Sequence, residues 1–118
     1  MGTFTHPITL YSDDRSVAET VDALVDTGAT FLTMPVDMLD RLGVEPFQSV
    51  TLRLANGEVE QRRIGEVRVQ LDGQERTAVC VFGEPSAPPI VGAVTLQSFL
   101  LDVDAVEHSL APVEALWL

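Results

Sequence analysis

The sequence predicts a mainly β domain carrying two short helices. Three observations predict it. Apolar residues alternate with polar ones over short runs such as Val50-Thr51-Leu52-Arg53-Leu54 and Val67-Arg68-Val69-Gln70-Leu71. Two dipeptides that turn hairpins, Asn56-Gly57 and Asp72-Gly73, fall directly after such runs. Helical spacing is confined to Pro35–Leu42 and Thr95–Phe99. The length of 118 residues allows a single domain spanning residues 1–118. It leaves no room for two nucleotide-binding halves or for an eight-fold barrel of about 250 residues.

Ile8 to Tyr11 reads as a strand, stopped by the turn residues Ser12-Asp13-Asp14. Val17 to Val25 reads as a second strand, wholly apolar at Ala23-Leu24-Val25, as a buried strand is. In the first helix Pro35 suits the first helical position, Met38, Leu39 and Leu42 share one face, and Gly43 supplies a left-handed end. Val50 to Leu54 and Glu58 to Arg63 form a hairpin about Asn56-Gly57, and its polar return strand says that it projects from the body. Glu66 to Leu71 and Thr77 to Phe82 form another about Asp72-Gly73. Gly83 to Pro89 is a loop, Ile90-Val91-Gly92 restarts apolar structure, and the second helix follows. Leu100 to Val103 is a strand, and a turn over Asp104 to His108 precedes a last stretch ending in Ala115-Leu116-Trp117-Leu118.

Charge narrows the function. Eighteen acids face seven bases, all Arg, for a net charge of −11. A nucleic-acid surface needs clustered positive charge, and the one tight basic pair, Arg62-Arg63, reads as the solvated face of a strand. Anionic membranes are disfavoured, and copies of the chain repel one another until salt screens them. Cys80, the single cysteine, sits in the apolar run Ala78 to Phe82 and reads as a small buried hydrophobe. His6 and His108 lack partners at metal-like spacing, so no metal or other cofactor is expected. Asp102 and Asp104 flank Val103 and read as exposed residues of one strand face, not as a metal pair. No signal peptide or stretch of about 20 apolar residues is visible, which makes the cytoplasm the default address. Trp117 is odd for a solvated tail; it is expected to dock on the body or in an interface.

The segment that points to chemistry is Ala23-Leu24-Val25-Asp26-Thr27-Gly28-Ala29-Thr30. An acid placed directly after three apolar residues is costly unless its charge is satisfied. Thr27 can bond a neighbouring backbone, and Gly28 permits a tight turn. Such a construction aims a carboxylate into a cleft from a rigid loop. An ordinary Asx turn between strands is the competing reading.

The segment resembles the signature of the retropepsin-like aspartic proteases, which include the retroviral proteases and their bacterial and eukaryotic relatives. That signature is apolar residues followed by Asp-Thr/Ser-Gly-Ala/Ser, here Leu24-Val25-Asp26-Thr27-Gly28-Ala29. The family's second element, apolar-apolar-Gly opening a short helix, is matched by Ile90-Val91-Gly92 and the residues to Phe99. Its flap hairpin is matched by Ala55-Asn56-Gly57-Glu58. The resemblance spans roughly residues 8–113 and implies a closed β-barrel of the acid-protease type. Thr30 and Ala93 stand where retroviral members carry an acid and an Arg, as in the cellular members, and the flap tip has a single Gly.

The resemblance also implies a function. One Asp-Thr-Gly per chain is half a site, so Asp26 from each subunit of a homodimer would meet at a two-fold axis. Two adjacent carboxylates share one proton; one activates water and the other protonates the scissile carbonyl. Thr27 of each subunit would grip the other's loop. Gly28 and the backbone at Ala29 and Thr30 would bind extended peptide, Asn56 and Gly57 would close over it, and Leu24, Pro88, Pro89 and Ile90 would line side-chain pockets. Val91 and Gly92 complete the substrate-binding set, with Ala55 in the flap. The acidic surface favours basic or neutral substrates. The alternative is a non-catalytic dimer that binds a peptide or partner on the same scaffold.

Overall fold

In the computed structural model, residues 3–117 are described. The strands are β1 (Phe4–Tyr11), β2 (Ala18–Val25), β3 (Leu32–Pro35), β4 (Pro46–Arg53), β5 (Val59–Leu71), β6 (Gln74–Gly83), β7 (Ile90–Val91), β8 (Leu101–Asp104) and β9 (Ser109–Pro112), with helices α1 (Val36–Arg41) and α2 (Ala93–Ser98). Seven strands form one sheet in the order β1-β2-β7-β3-β6-β5-β4, and β1 pairs again with β5. That second pairing, Thr9 to Tyr11 against Arg68 to Gln70, closes six strands into a ring and leaves β4 attached outside it. β8 and β9 form a separate antiparallel pair.

Alternation decides which side chains face inward. Ile8 and Leu10 of β1, Ala23 and Val25 of β2, and Val67, Val69 and Leu71 of β5 are all buried, while their neighbours face out. Leu39 of α1 and Leu96 of α2 close the core with Phe99, which is fully buried. Cys80 lies in this core.

Three local expectations change. Pro35 precedes α1 in an extended conformation (φ −56°, ψ 139°) and ends β3, because β3 pairs with β6 through Pro35 opposite Gly83. Gly43 does supply the left-handed residue (φ 72°) after α1. The expected strands Glu58–Arg63 and Glu66–Leu71 merge into one 13-residue strand that begins at Val59. Gly65 joins them, paired with Pro46 of β4 on one side and Cys80 of β6 on the other, and a Cβ there would lie 2.8 Å from the Glu45 carbonyl oxygen. The two hairpins also differ. Asp72 and Gly73 both have positive φ, the type I′ geometry, whereas at Asn56-Gly57 only Gly57 does. There the Gly57 N–H donates to Leu54 O (2.9 Å) and the Leu54 N–H to Glu58 O (2.7 Å), a turn closed by a glycine bulge.

Toward the C-terminus, Asp104 accepts the Val106 and Glu107 N–H groups and so caps the β8–β9 turn, while Asp102 is exposed. Trp117 is 96% exposed and does not dock on the body; Leu118 lies outside the described residues. No helix of the described residues is long and apolar enough to cross a membrane.

Candidate active site

Asp26 stands at the open end of β2, immediately after Val25 has entered the core. β2 runs parallel to the two-residue β7, with Leu24 opposite Ile90 and Val25 opposite Val91. β7 is held on its other side by β3 through Thr33 opposite Ile90. The connection between β2 and β3, residues 26–31, therefore has to pass around the end of β7.

Hydrogen bonds fix that path. The Leu24 N–H donates to Pro89 O at 2.9 Å and the Asp26 N–H to Val91 O at 3.0 Å, which extends the parallel ladder to the aspartate itself. The Ala29 N–H donates to Asp26 O at 3.1 Å, and the Gly28 N–H donates to Asp26 Oδ1 at 2.9 Å. The carboxylate is thus oriented by the turn it begins, as an Asx-type bond orients it. Asp26 is half-buried; Thr27, Gly28 and Thr30 are exposed.

The loop in turn serves α2. This helix has no side-chain cap. Its opening N–H groups instead donate to loop carbonyls, Ala93 to Ala29 O at 2.8 Å and Val94 to Thr30 O at 2.9 Å, which satisfies donors that a helix start leaves free. Such contact demands that the loop backbone lie directly on Gly92. A Cβ there would sit 2.6 Å from Phe31 O, 2.7 Å from Ala29 O and 2.8 Å from the Thr30 carbonyl carbon. Gly92 has φ −98° and ψ −177°, open to any residue, so its requirement is steric.

The structure sorts the expected site residues. Asp26, Thr27, Gly28, Ala29 and Thr30 form one loop, and Leu24, Pro89, Ile90, Val91 and Gly92 form its support. Leu24, Pro89 and Ile90 are half-buried and Pro88 is exposed. Val91 is fully buried with its carbonyl bonded to Asp26, so it positions the aspartate and offers no side chain to a cleft. Ala55, Asn56 and Gly57 are exposed at the tip of the β4–β5 hairpin. Gly57 uses its N–H on Leu54 and its carbonyl on Arg53 Nη1 (3.0 Å), and the Asn56 side chain accepts the Glu58 N–H (2.9 Å). Among the described residues, the Ala55 and Asn56 N–H groups have no backbone partner.

Residues that the sequence left unmarked line a cavity of about 360 Å³ between this hairpin and the body, among them Thr33, Leu52, Leu54, Arg62, Val81 and Glu84. Alternation could have marked Leu52 and Leu54, which face the same side of their strand. Arg62 is not merely solvated: it bridges Glu60 at 3.0 Å and Glu84 at 2.8 Å, and Glu84 first, then Glu60, raises its guanidinium above the ordinary value. A larger cavity of about 580 Å³ involves Tyr11, Arg15, Phe47 and Glu75 and none of the Asp26 loop, so size does not mark the site here.

A closed barrel with a short parallel pair, a carboxylate at the end of one strand and a glycine seated under its loop defines the class of acid-protease domains. The model of the aspartyl protease family matches residues 12–95, and the chain belongs to that family. Its enzyme class is that of an aspartic endopeptidase. Two solved structures share the fold. EIAV protease complexed with the inhibitor HBY-793 is 17% identical with a TM-score of 0.64, over 83% of this chain and 88% of that one. The solution structure of simian foamy virus (mac) protease is 16% identical with a TM-score of 0.55, over 80% and 94%. No curated protein matches the chain in sequence.

Proposed function

We propose that the protein hydrolyses peptide bonds as a homodimer, with Asp26 of each subunit forming one catalytic pair. The observation that carries this reading is a single Asp26, held by Gly28 and the Val91 carbonyl and followed by the exposed Thr27-Gly28. A lone carboxylate cannot act as base and acid at once; a second copy supplies the other, and the exposed loop leaves it access. The two carboxylates hold one proton between them. The ionised member takes a proton from water, and the resulting hydroxide adds to the scissile carbonyl carbon. The protonated member gives its proton to the carbonyl oxygen. Transfer of a proton to the amide nitrogen then lets the C–N bond break.

Thr27 of each subunit reaches the loop of the other. Gly28, Ala29 and Thr30 offer backbone to an extended peptide, with Leu24, Pro88, Pro89 and Ile90 beside them. The hairpin tip closes through the open N–H groups of Ala55 and Asn56, because Gly57 has used its own. Association also covers apolar surface that one chain leaves in water, including Val113, Leu116 and Trp117.

Hydrolysis of a peptide library by wild type and Asp26→Asn, alongside sedimentation, tests the reading. Asn at position 26 keeps an acceptor for the Gly28 N–H, so the fold persists while the rate falls by roughly 10²–10⁴-fold or more. Equal rates, or full activity in a strictly monomeric protein, would refute it. Peptide binding without hydrolysis in the wild type would favour the non-catalytic alternative.

A further inference from the structure

The cavity under the hairpin combines apolar walls with a charged end. Leu52 and Leu54 come from the hairpin side, and Val81 and Ala87 from the body. Glu60, Arg62 and Glu84 form its charged end. Arg62 Nη2 donates to Glu60 Oε2 at 3.0 Å and to Glu84 Oε1 at 2.8 Å, and its Nε donates to Glu60 Oε2 at 3.1 Å. Two carboxylates therefore share one guanidinium, and the cluster keeps one negative charge. Among the described residues, Glu60 Oε1 and Glu84 Oε2 accept no hydrogen bond, and the two side chains are 41% and 62% exposed. The cavity also adjoins the site: Thr33, on its wall, pairs with Ile90, which pairs with Leu24 of the Asp26 strand.

We infer that this cavity is a substrate subsite that selects a peptide residue with a long basic side chain, arginine or lysine. The methylene stem lies along Leu52, Leu54 and Val81, and the cationic head takes the spare oxygens of Glu60 and Glu84. Arg62 holds the two carboxylates together, and because it neutralises only one of them the pair sets the sign of the preference. An acidic side chain meets net like charge, and the field of a chain at −11 acts in the same sense. The inference rests on the peptidase reading above, and it locates that enzyme's selectivity.

Two peptides that differ only by Arg or Glu at one position, scanned through the sequence, test it. Cleavage is read as kcat/KM in the active protein, and binding as Kd in Asp26→Asn. The Arg:Glu ratio within one protein cancels any loss of folded material. Wild type should favour the Arg peptide by roughly tenfold at one position, as a charge-assisted contact in a partly covered site provides. Arg62→Gln should widen the ratio. Glu60→Gln with Glu84→Gln should invert it, since the guanidinium is then alone. A ratio near one in wild type, or one unchanged in the double variant, overturns the subsite. Selective binding in Asp26→Asn with no cleavage by wild type would instead overturn the peptidase reading and leave the subsite standing.

Discussion

Gly92→Ala gives the sharpest test of how the loop is held. The added methyl meets three backbone atoms at 2.6 to 2.8 Å, and none of them is a side chain that could swing away. To regain a contact of 3.4 Å, the Phe31 carbonyl must retreat from 2.6 Å, about 0.8 Å. Overpacking of this kind costs ~1–3 kcal/mol. The same movement stretches the Ala93–Ala29 and Val94–Thr30 bonds, at ~0.5–1.5 kcal/mol each if they are lost. The expected destabilisation is about 3 kcal/mol, which at a urea slope of ~1.5 kcal/mol/M lowers the midpoint by about 2 M. Because Asp26 is the first residue of the same loop, hydrolysis should fall by roughly 100-fold in the protein that remains folded. Gly73→Ala is the control. It has no atom within 4 Å and a φ of +79°, so its cost of about 1 kcal/mol is in the backbone alone and lies far from the loop. A Gly92→Ala midpoint within about 0.3 M of wild type with unaltered hydrolysis would show that the loop is not seated as described.

Gly28→Ala should act differently. Its Cβ would touch only Asp26 Oδ1, at 3.1 Å, so hydrolysis should drop while the urea midpoint hardly moves; an unchanged kcat/KM would count against that carboxylate position. Arg15 first, and Arg68, hold the Glu75 carboxyl down from 4.5 to about 2. A depressed carboxyl stabilises the fold above its unfolded range and loses that contribution as pH falls toward 2. Glu75→Gln should therefore melt below wild type at neutral pH, with the gap closing under pH 4.5; a constant gap would refute the coupling. Burial pushes the Cys80 thiol well above its ordinary range, so thiol reagents should modify it only as fast as the protein opens, and rapid native labelling would contradict the core. Added salt should raise the dimer fraction in sedimentation, because it screens repulsion between chains of −11; dissociation by salt would point to an interface held by opposite charges.

Local chemistry was legible wherever neighbours in sequence decide it. The face of α1, its end at Gly43, the type I′ turn at Asp72-Gly73 and the burial of Cys80 all depend on such neighbours. So did the grouping of Asp26, Thr27 and Gly28 in one turn. What failed depended on distant chain. Pro35 joins β3 because Gly83 lies opposite, and β5 stays unbroken at Gly65 because β4 and β6 pair with it on both sides. Asn56 keeps negative φ because the glycine bulge, not a two-residue turn, suits that hairpin. The role of Arg62 was hidden for the same reason: Glu84 is 22 positions away. Gly92 showed itself as part of a motif, but its reason, a foreign backbone lying against it, needs the fold.

The seam between β1 and β5 has a consequence for how the chain folds. It joins residues such as Tyr11 and Gln70, 59 positions apart, whose side chains bond at 2.9 Å. During synthesis β1 can pair with β2 early, yet this seam stays open until β5 has left the ribosome, and the ring until β7 has followed. Until then Ile8 and Leu10 have no lid, and the Asp26 loop lacks β7, which comes later still. Contacts of this separation carry a large loop-closure cost before any return, which places folding in the slow, millisecond-to-second range of β proteins. The Asp26 loop, which rests on β7 and α2, is thus among the last parts to take shape.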